Sequence, residues 1–143
     1  QELTTEGGLD VAGQLERATN FVKPLIKAGI EVSMFIDPDI TQVSAAYKCG
    51  AHFIELHTGR YSEDFGTDKE EESFQALKGA AAFALTLGLK VNAGHGLNYE
   101  NVKRMHEIPD LVELNIGHSI IARAVFVGLP QAVREMKELV EGK

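Results

Sequence analysis

Along the chain, apolar positions alternate between two periods, about 3.6 and 2 residues, and glycine marks the changes. Three times a helical pattern ends in one or two small residues plus glycine and passes straight into an apolar run. The passages are Lys27-Ala28-Gly29-Ile30, Lys48-Cys49-Gly50-Ala51 and Thr86-Leu87-Gly88-Leu89. Glycine just past a helix is the usual left-handed cap, because it adopts positive φ without a Cβ clash. One unit is therefore repeated, and residues 1–143 read as part of a single domain.

The period-2 runs predict four strands, near 30–37, 52–58, 89–93 and 112–116. Helical patterns fall near 11–28, 39–48, 68–86 and 98–107, with two more near 119–127 and 130–141. Asp39 and Asn98 are candidate N-caps, since their side chains can accept from the orphan N–H groups of a first turn. Pro24 lies inside the first helical pattern, where it is expected to kink the helix. The acidic run Glu63 to Glu72 reads as a solvated loop and helix start.

Strands alternating with helices imply parallel strands joined by right-handed crossovers. Four such units form either a small open sheet or half of a closed barrel. The strand interiors favour the barrel. Ile54 and Leu56 alternate with Glu55 and His57, and Leu114 and Ile116 with Glu113, Asn115 and Gly117. An open sheet covered on both faces would carry nearly continuous apolar strands. A barrel packs one apolar face on helices and can point polar groups inward. The predicted class is α/β, a portion of a TIM (β/α)₈ barrel, which needs about 250 residues when complete.

Composition narrows the partners. With 14 Lys and Arg against 21 Asp and Glu, the net charge is −7, which disfavours nucleic acid and anionic membranes. Small phosphates remain available, because backbone amides and helix dipoles bind them on an acidic protein. No apolar run approaches the roughly 18 residues of a membrane span. A lone cysteine, Cys49, excludes an internal disulfide and fits a reducing compartment.

In barrels the chemistry sits at the C-terminal strand ends. Those ends are Asp37, Glu55 to Gly59, Asn92 to Gly96, and Asn115 to His118, a rim holding His57, His95 and His118. His52 and His106 fall elsewhere and read as structural. Gly94-His95-Gly96 and Gly117-His118 each lead into a helical pattern. Such turns let backbone N–H groups approach a phosphate, unless they are simply tight turns. Gly94-x-Gly96 is no dinucleotide fingerprint, since Tyr99 stands at the third glycine position. Glu55 points inward, where desolvation favours its protonated form; it suits proton transfer, stabilisation of a developing cation, or a structural hydrogen bond. His95, on its glycine-flanked loop, is the best-placed proton donor or acceptor. Glu113 also faces inward, with no distinct role.

Five segments carry a family resemblance. Thr4-Thr5-Glu6-Gly7-Gly8-Leu9-Asp10-Val11, Val32-Ser33-Met34-Phe35-Ile36-Asp37, Phe53-Ile54-Glu55-Leu56-His57-Thr58-Gly59, Leu89-Lys90-Val91-Asn92-Ala93-Gly94-His95-Gly96-Leu97 and Glu113-Leu114-Asn115-Ile116-Gly117-His118 resemble the pyridoxine 5′-phosphate synthase family in order and spacing. The resemblance implies a cytoplasmic, homo-oligomeric barrel enzyme of the transferase class in vitamin B6 biosynthesis. Such enzymes condense 1-deoxy-D-xylulose 5-phosphate with 3-amino-2-oxopropyl phosphate, releasing phosphate and water, without metal or organic cofactor. By the same likeness, Thr4 contacts the deoxyxylulose phosphate, Glu55 stabilises the transition state and His95 donates a proton. Gly96, Gly117 and His118 bind the aminoketone phosphate.

The likeness places these residues in strands five to eight, the C-terminal half of the barrel, with the family's first strands preceding Gln1. The expectation is that this polypeptide alone neither closes a barrel nor turns over substrate, and that it partners an N-terminal half. Two other readings compete. His57, His95 and His118 could ligate zinc in a metal-dependent hydrolase, or the chain could be a non-catalytic phosphate-binding or assembly module.

Overall fold

A computed structural model of the chain describes residues 7–142. Four short strands form one sheet: β1 (Ser33–Ile36), β2 (Phe53–His57), β3 (Lys90–Gly94) and β4 (Leu111–Asn115). They lie in chain order and every neighbouring pair is parallel. Between and after them come α1 (Leu15–Lys27), α2 (Ile40–Lys48), α3 (Gly59–Asp64), α4 (Glu70–Thr86), a 3₁₀ helix (Asn101–Glu107), α5 (His118–Val127) and α6 (Leu129–Val140). The α/β repeat expected from the periodicity is present.

Local chemistry explains the boundaries. Asp39 caps α2, its Oδ1 accepting from the Thr41 and Gln42 N–H groups at 2.7 and 3.1 Å. Gly29, Gly50 and Gly88 take φ of 77°, 89° and 79°, the left-handed turn that ends each helix and turns the chain into the next strand. Pro24 lies within α1.

Several elements differ from the pattern-based boundaries, and β1 runs only Ser33–Ile36 rather than 30–37. Helix α1 starts at Leu15 rather than near residue 11, because Asp10 accepts from the Gly13 N–H and Gln42 from the Ala12 N–H, fixing a turn there. Residues 101–107 are 3₁₀ rather than α-helical. The N-cap of this segment is Glu100, without a side-chain bond, rather than Asn98; Asn98 forms the turn before it, its Oδ1 accepting from the Glu100 and Asn101 N–H groups. At its other end Ile108, the residue before Pro109, is extended and stops the segment. The short helix α3 has no apolar periodicity of its own and was not expected from the sequence.

Register decides which side chains share a face. Ile36, Leu56, Ala93 and Leu114 form one row, with the first three fully buried beneath the helices. Helix α4 answers with Phe74, Leu77, Ala81 and Ala84, all at zero exposure. A fully buried side chain of the Phe or Leu class is worth about 1.5–3 kcal/mol. One residue earlier, Phe35, Glu55, Asn92 and Glu113 form the row on the opposite face. That face carries the polar groups. Helices α5 and α6 pack on each other, and α5 buries none of its residues, leaving Ile121, Val125 and Phe126 exposed.

Candidate active site

Parallel strands in chain order bring all four C-terminal ends to one edge, so the loops that follow them meet. There a cleft of about 640 Å³ is lined by Phe35, Glu55, His95, Gly96, Asn115, Gly117 and His118, among others. It unites Glu55, His95, Gly96, Gly117 and His118, all named from the sequence. Thr4 lies outside the described residues.

Glu55 sits on the floor of this cleft. Burial pushes its carboxyl above the usual glutamate range; a hydrogen bond with Asn115 opposes the shift and the nearby Glu113 carboxylate adds to it. Its Oε1 occupies space that a side chain at residue 94 would need: a Cβ on Gly94 would stand 2.6 Å from it. Gly94 is thus small because the carboxylate packs on its backbone. Glu113 lies in the same row as Glu55 and acts on it through charge.

His95 follows β3 with φ of 83°, a conformation that bulky L-residues rarely adopt. Its ring lies 4.9 Å, centroid to centroid, from that of His57. The Thr58 hydroxyl, fully buried at the end of β2, is 2.7 Å from the Gly94 carbonyl and also within reach of the His95 carbonyl. Beyond His95, Gly96 has φ of 77° and closes against Ser62. Asn101 holds this loop, donating to the Gly96 carbonyl and accepting from the Asn98 N–H.

The second turn is more open. Gly117 caps α5, and a Cβ there would meet nothing within 4 Å. The first N–H groups of α5 have no acceptor within the helix and point their positive end into the cleft region. Ser119 ties this turn to the first, donating to the Leu97 carbonyl at 2.8 Å.

A neighbouring cleft of about 790 Å³ lies on the other side of His95, lined by Asp37, His57, Gly59, Arg60, Asp64 and Glu72 among others. His57 Nδ1 lies 3.0 Å from Asp37 Oδ1, while its Nε2 is buried without a partner among the described residues. Sequence reasoning missed Thr58, Asn101 and Ser119 as parts of the site. Thr58 left one trace, a hydroxyl between a histidine and a glycine at a strand end. The other two are ordinary polar residues in sequence.

His52 and His106 are structural, as read: His52 Nδ1 accepts from the Val32 N–H, and His106 Nε2 pairs with the Leu139 carbonyl. His57 and His95 lie ring to ring, and His95 and His118 line one cleft. Among the described residues no group of three or more His, Cys, Asp or Glu is arranged to hold a metal ion, so the geometry does not favour the zinc reading. No helix of the described residues is long and apolar enough to cross a membrane.

Comparison with known proteins follows the same lines. Residues 1–142 match the family described as pyridoxal phosphate biosynthesis protein PdxJ. A pyridoxine 5′-phosphate synthase from Idiomarina loihiensis is 54% identical over 141 residues, covering 99% of this chain and 58% of that protein. Proteins of the same name are 56% identical in a Synechococcus strain, over 96% of this chain and 58% of the relative, and 54% identical in Photobacterium profundum, over 96% and 56%. The chain thus spans a little over half the length of these relatives.

Proposed function

The chain belongs to the PdxJ family of pyridoxal phosphate biosynthesis proteins, and from that premise we propose that it forms the second half of a pyridoxine 5′-phosphate synthase barrel. In this reading β1 to β4 are barrel strands five to eight, and the face bearing Phe35, Glu55, Asn92 and Glu113 lines the barrel interior. The substrates are 1-deoxy-D-xylulose 5-phosphate and 3-amino-2-oxopropyl phosphate; the products are pyridoxine 5′-phosphate, inorganic phosphate and water. The assembled enzyme is cytoplasmic and homo-oligomeric, and its remaining strands complete the active site.

The observation that carries this reading is the shared cleft of Glu55, His95, Gly96, Gly117 and His118. Gly96, Gly117 and His118, beside the start of α5, hold the aminoketone phosphate through backbone N–H groups and the helix dipole. Thr4 contacts the deoxyxylulose phosphate. Anchoring both phosphates brings amine and ketone together, so imine formation becomes effectively intramolecular. Dehydration, phosphate loss and ring closure then need protons delivered at defined places, and His95 donates at the cleft mouth. The desolvated Glu55 carboxylate stabilises positive charge developing on the condensing nitrogen, more strongly than it would in water.

Replacement His95→Asn in the complete enzyme tests the assignment. Substrate binding should persist while turnover falls by roughly 10²–10⁴, the usual size of a general acid–base contribution. An unchanged turnover number would remove His95 from the mechanism.

A further inference from the structure

We propose that the Asp37–His57 pair is a positioning device for His95: it holds one imidazole as a fixed wall against which the ring of the proton donor is set. The inference rests on the reading of His95 as that donor.

Three consecutive residues at the end of β2 act on His95 from different directions. His57 presents its ring, 4.9 Å from that of His95 and tilted by 52°. Thr58 holds the backbone of Gly94 and His95 through their carbonyls. Gly59 leaves the room both rings occupy, since a Cβ there would lie 2.7 Å from His57 Nε2 and 3.4 Å from His95 Cδ2. The backbone of His95 itself needs support, because φ of 83° is unfavourable for a residue with a Cβ.

A wall is useful only if it does not turn. His57 is fixed on two sides. Its Nδ1–H donates to the Asp37 carboxylate at 3.0 Å, and its ring meets Phe35 edge-on at a centroid distance of 5.1 Å. The hydrogen bond to Asp37 also selects the tautomer with the proton on Nδ1. Nothing in the proposed chemistry otherwise uses Asp37 or His57, yet His57 is enclosed, with a side-chain exposure of 12%. Each ring restricts the other, and the carboxylate orients the pair from outside the substrate cleft.

The charged and titratable groups that line the same cleft as His57 are Asp37 and Asp39 after β1, Arg60, Tyr61, Glu63 and Asp64 of α3, Glu72 of α4 and His95 after β3; Glu55 precedes it on β2. The positioning variants that follow change only Asp37 or His57, and His95→Asn serves as their reference.

The test compares His57→Ala, His57→Phe and Asp37→Asn with His95→Asn in the complete enzyme, reading kcat, KM and the orientation of the His95 ring by NMR. His57→Ala should lower kcat by about threefold to tenfold, the size of a lost rotamer preference, with KM nearly constant and the His95 ring no longer held in one orientation. Asp37→Asn should do the same to a smaller extent, and His57→Phe, which restores a ring wall, should recover part of kcat. A parental kcat and an unmoved His95 ring in Asp37→Asn and His57→Ala would overturn the proposal. If His57→Ala does not fold, Asp37→Asn, which keeps ring and volume, decides it alone. Should His95→Asn itself retain turnover, the proton-donor reading falls, and the ring orientation in the other variants still reports whether the pair positions it.

Discussion

The Glu55 carboxylate packs on the backbone of Gly94, its Oε1 only 2.6 Å from the point where a β-carbon on residue 94 would stand. A glycine in β3 therefore makes room for an acid in β2. The acid is half-buried there, and that burial pushes its carboxyl above the usual glutamate range.

The consequence is a conflict between stability and activity. For a carboxyl whose folded pKa is raised, the stabilising contribution is full below the unfolded value of about 4.3 and is lost as pH rises through the folded value. Glu55→Gln keeps the shape and a hydrogen-bonding group for Asn115 but never ionises. Its melting temperature should match the parent near about pH 4 and exceed it at about pH 8, beyond the ordinary glutamate range. Turnover in the complete enzyme should fall by roughly 10²–10³, as for loss of one preorganised electrostatic group. A variant less stable than the parent at the higher pH would contradict the burial argument.

A second prediction concerns the acidic run that the sequence presents as a solvated loop and helix start. The run is largely exposed and α4 starts at Glu70, as read, and Glu70 and Glu71 also bind Arg104 at 2.9 Å each, with Glu107 joining at 3.1 Å. The guanidinium also lies 3.9 Å over the buried Phe74 ring. One arginine thus ties the start of α4 to the 3₁₀ helix. Arg104→Ala should cost about 1–3 kcal/mol in urea unfolding, more than an isolated surface pair because the group is stacked and forked. Arg104→Lys should recover less than half, since an ammonium cannot reproduce the fork. The loss for Arg104→Ala should shrink in about 1 M salt, where surface charges are screened; equal losses at low and high salt would assign the effect to packing alone.

Legibility in the sequence followed the range of the interactions involved. The strands and most helices could be read because glycine caps, Asp39 and the alternation in Ile54-Glu55-Leu56-His57 are local signals. The cleft could be read because parallel strands force their C-terminal ends together, so Glu55, His95 and Gly117 had to be neighbours once the topology was right. What escaped was contact across long loops. Thr58 reaches Gly94 over 36 positions and Arg104 reaches Glu70 over 34, and neither partner announces the other in sequence. Helix α3 escaped for a different reason. Its six residues are too few to show a period, and its place is set by Tyr61, which is buried and donates its hydroxyl to the Asn101 carbonyl.

The two glycine turns separate phosphate binding from folding. Gly96 has φ of 77°, and a Cβ on it would lie 2.8 Å from Ser62, so Gly96→Ala combines backbone strain with a clash. Its stability should drop by about 1 kcal/mol or more, and any loss of affinity would be ambiguous. Gly117 has φ of −124° and empty space where a Cβ would go. Gly117→Ala should therefore fold and melt like the parent. If the Gly117 turn holds the aminoketone phosphate by close backbone approach, the added methyl should raise the KM for that substrate roughly tenfold to hundredfold. That corresponds to a lost charge-assisted hydrogen bond of ~1.5–3 kcal/mol. The KM for the deoxyxylulose phosphate should stay within about twofold, because the methyl blocks one anchor and leaves the other. Unchanged KM values for both substrates in a normally folded Gly117→Ala enzyme would mean that the open turn before α5 holds no phosphate.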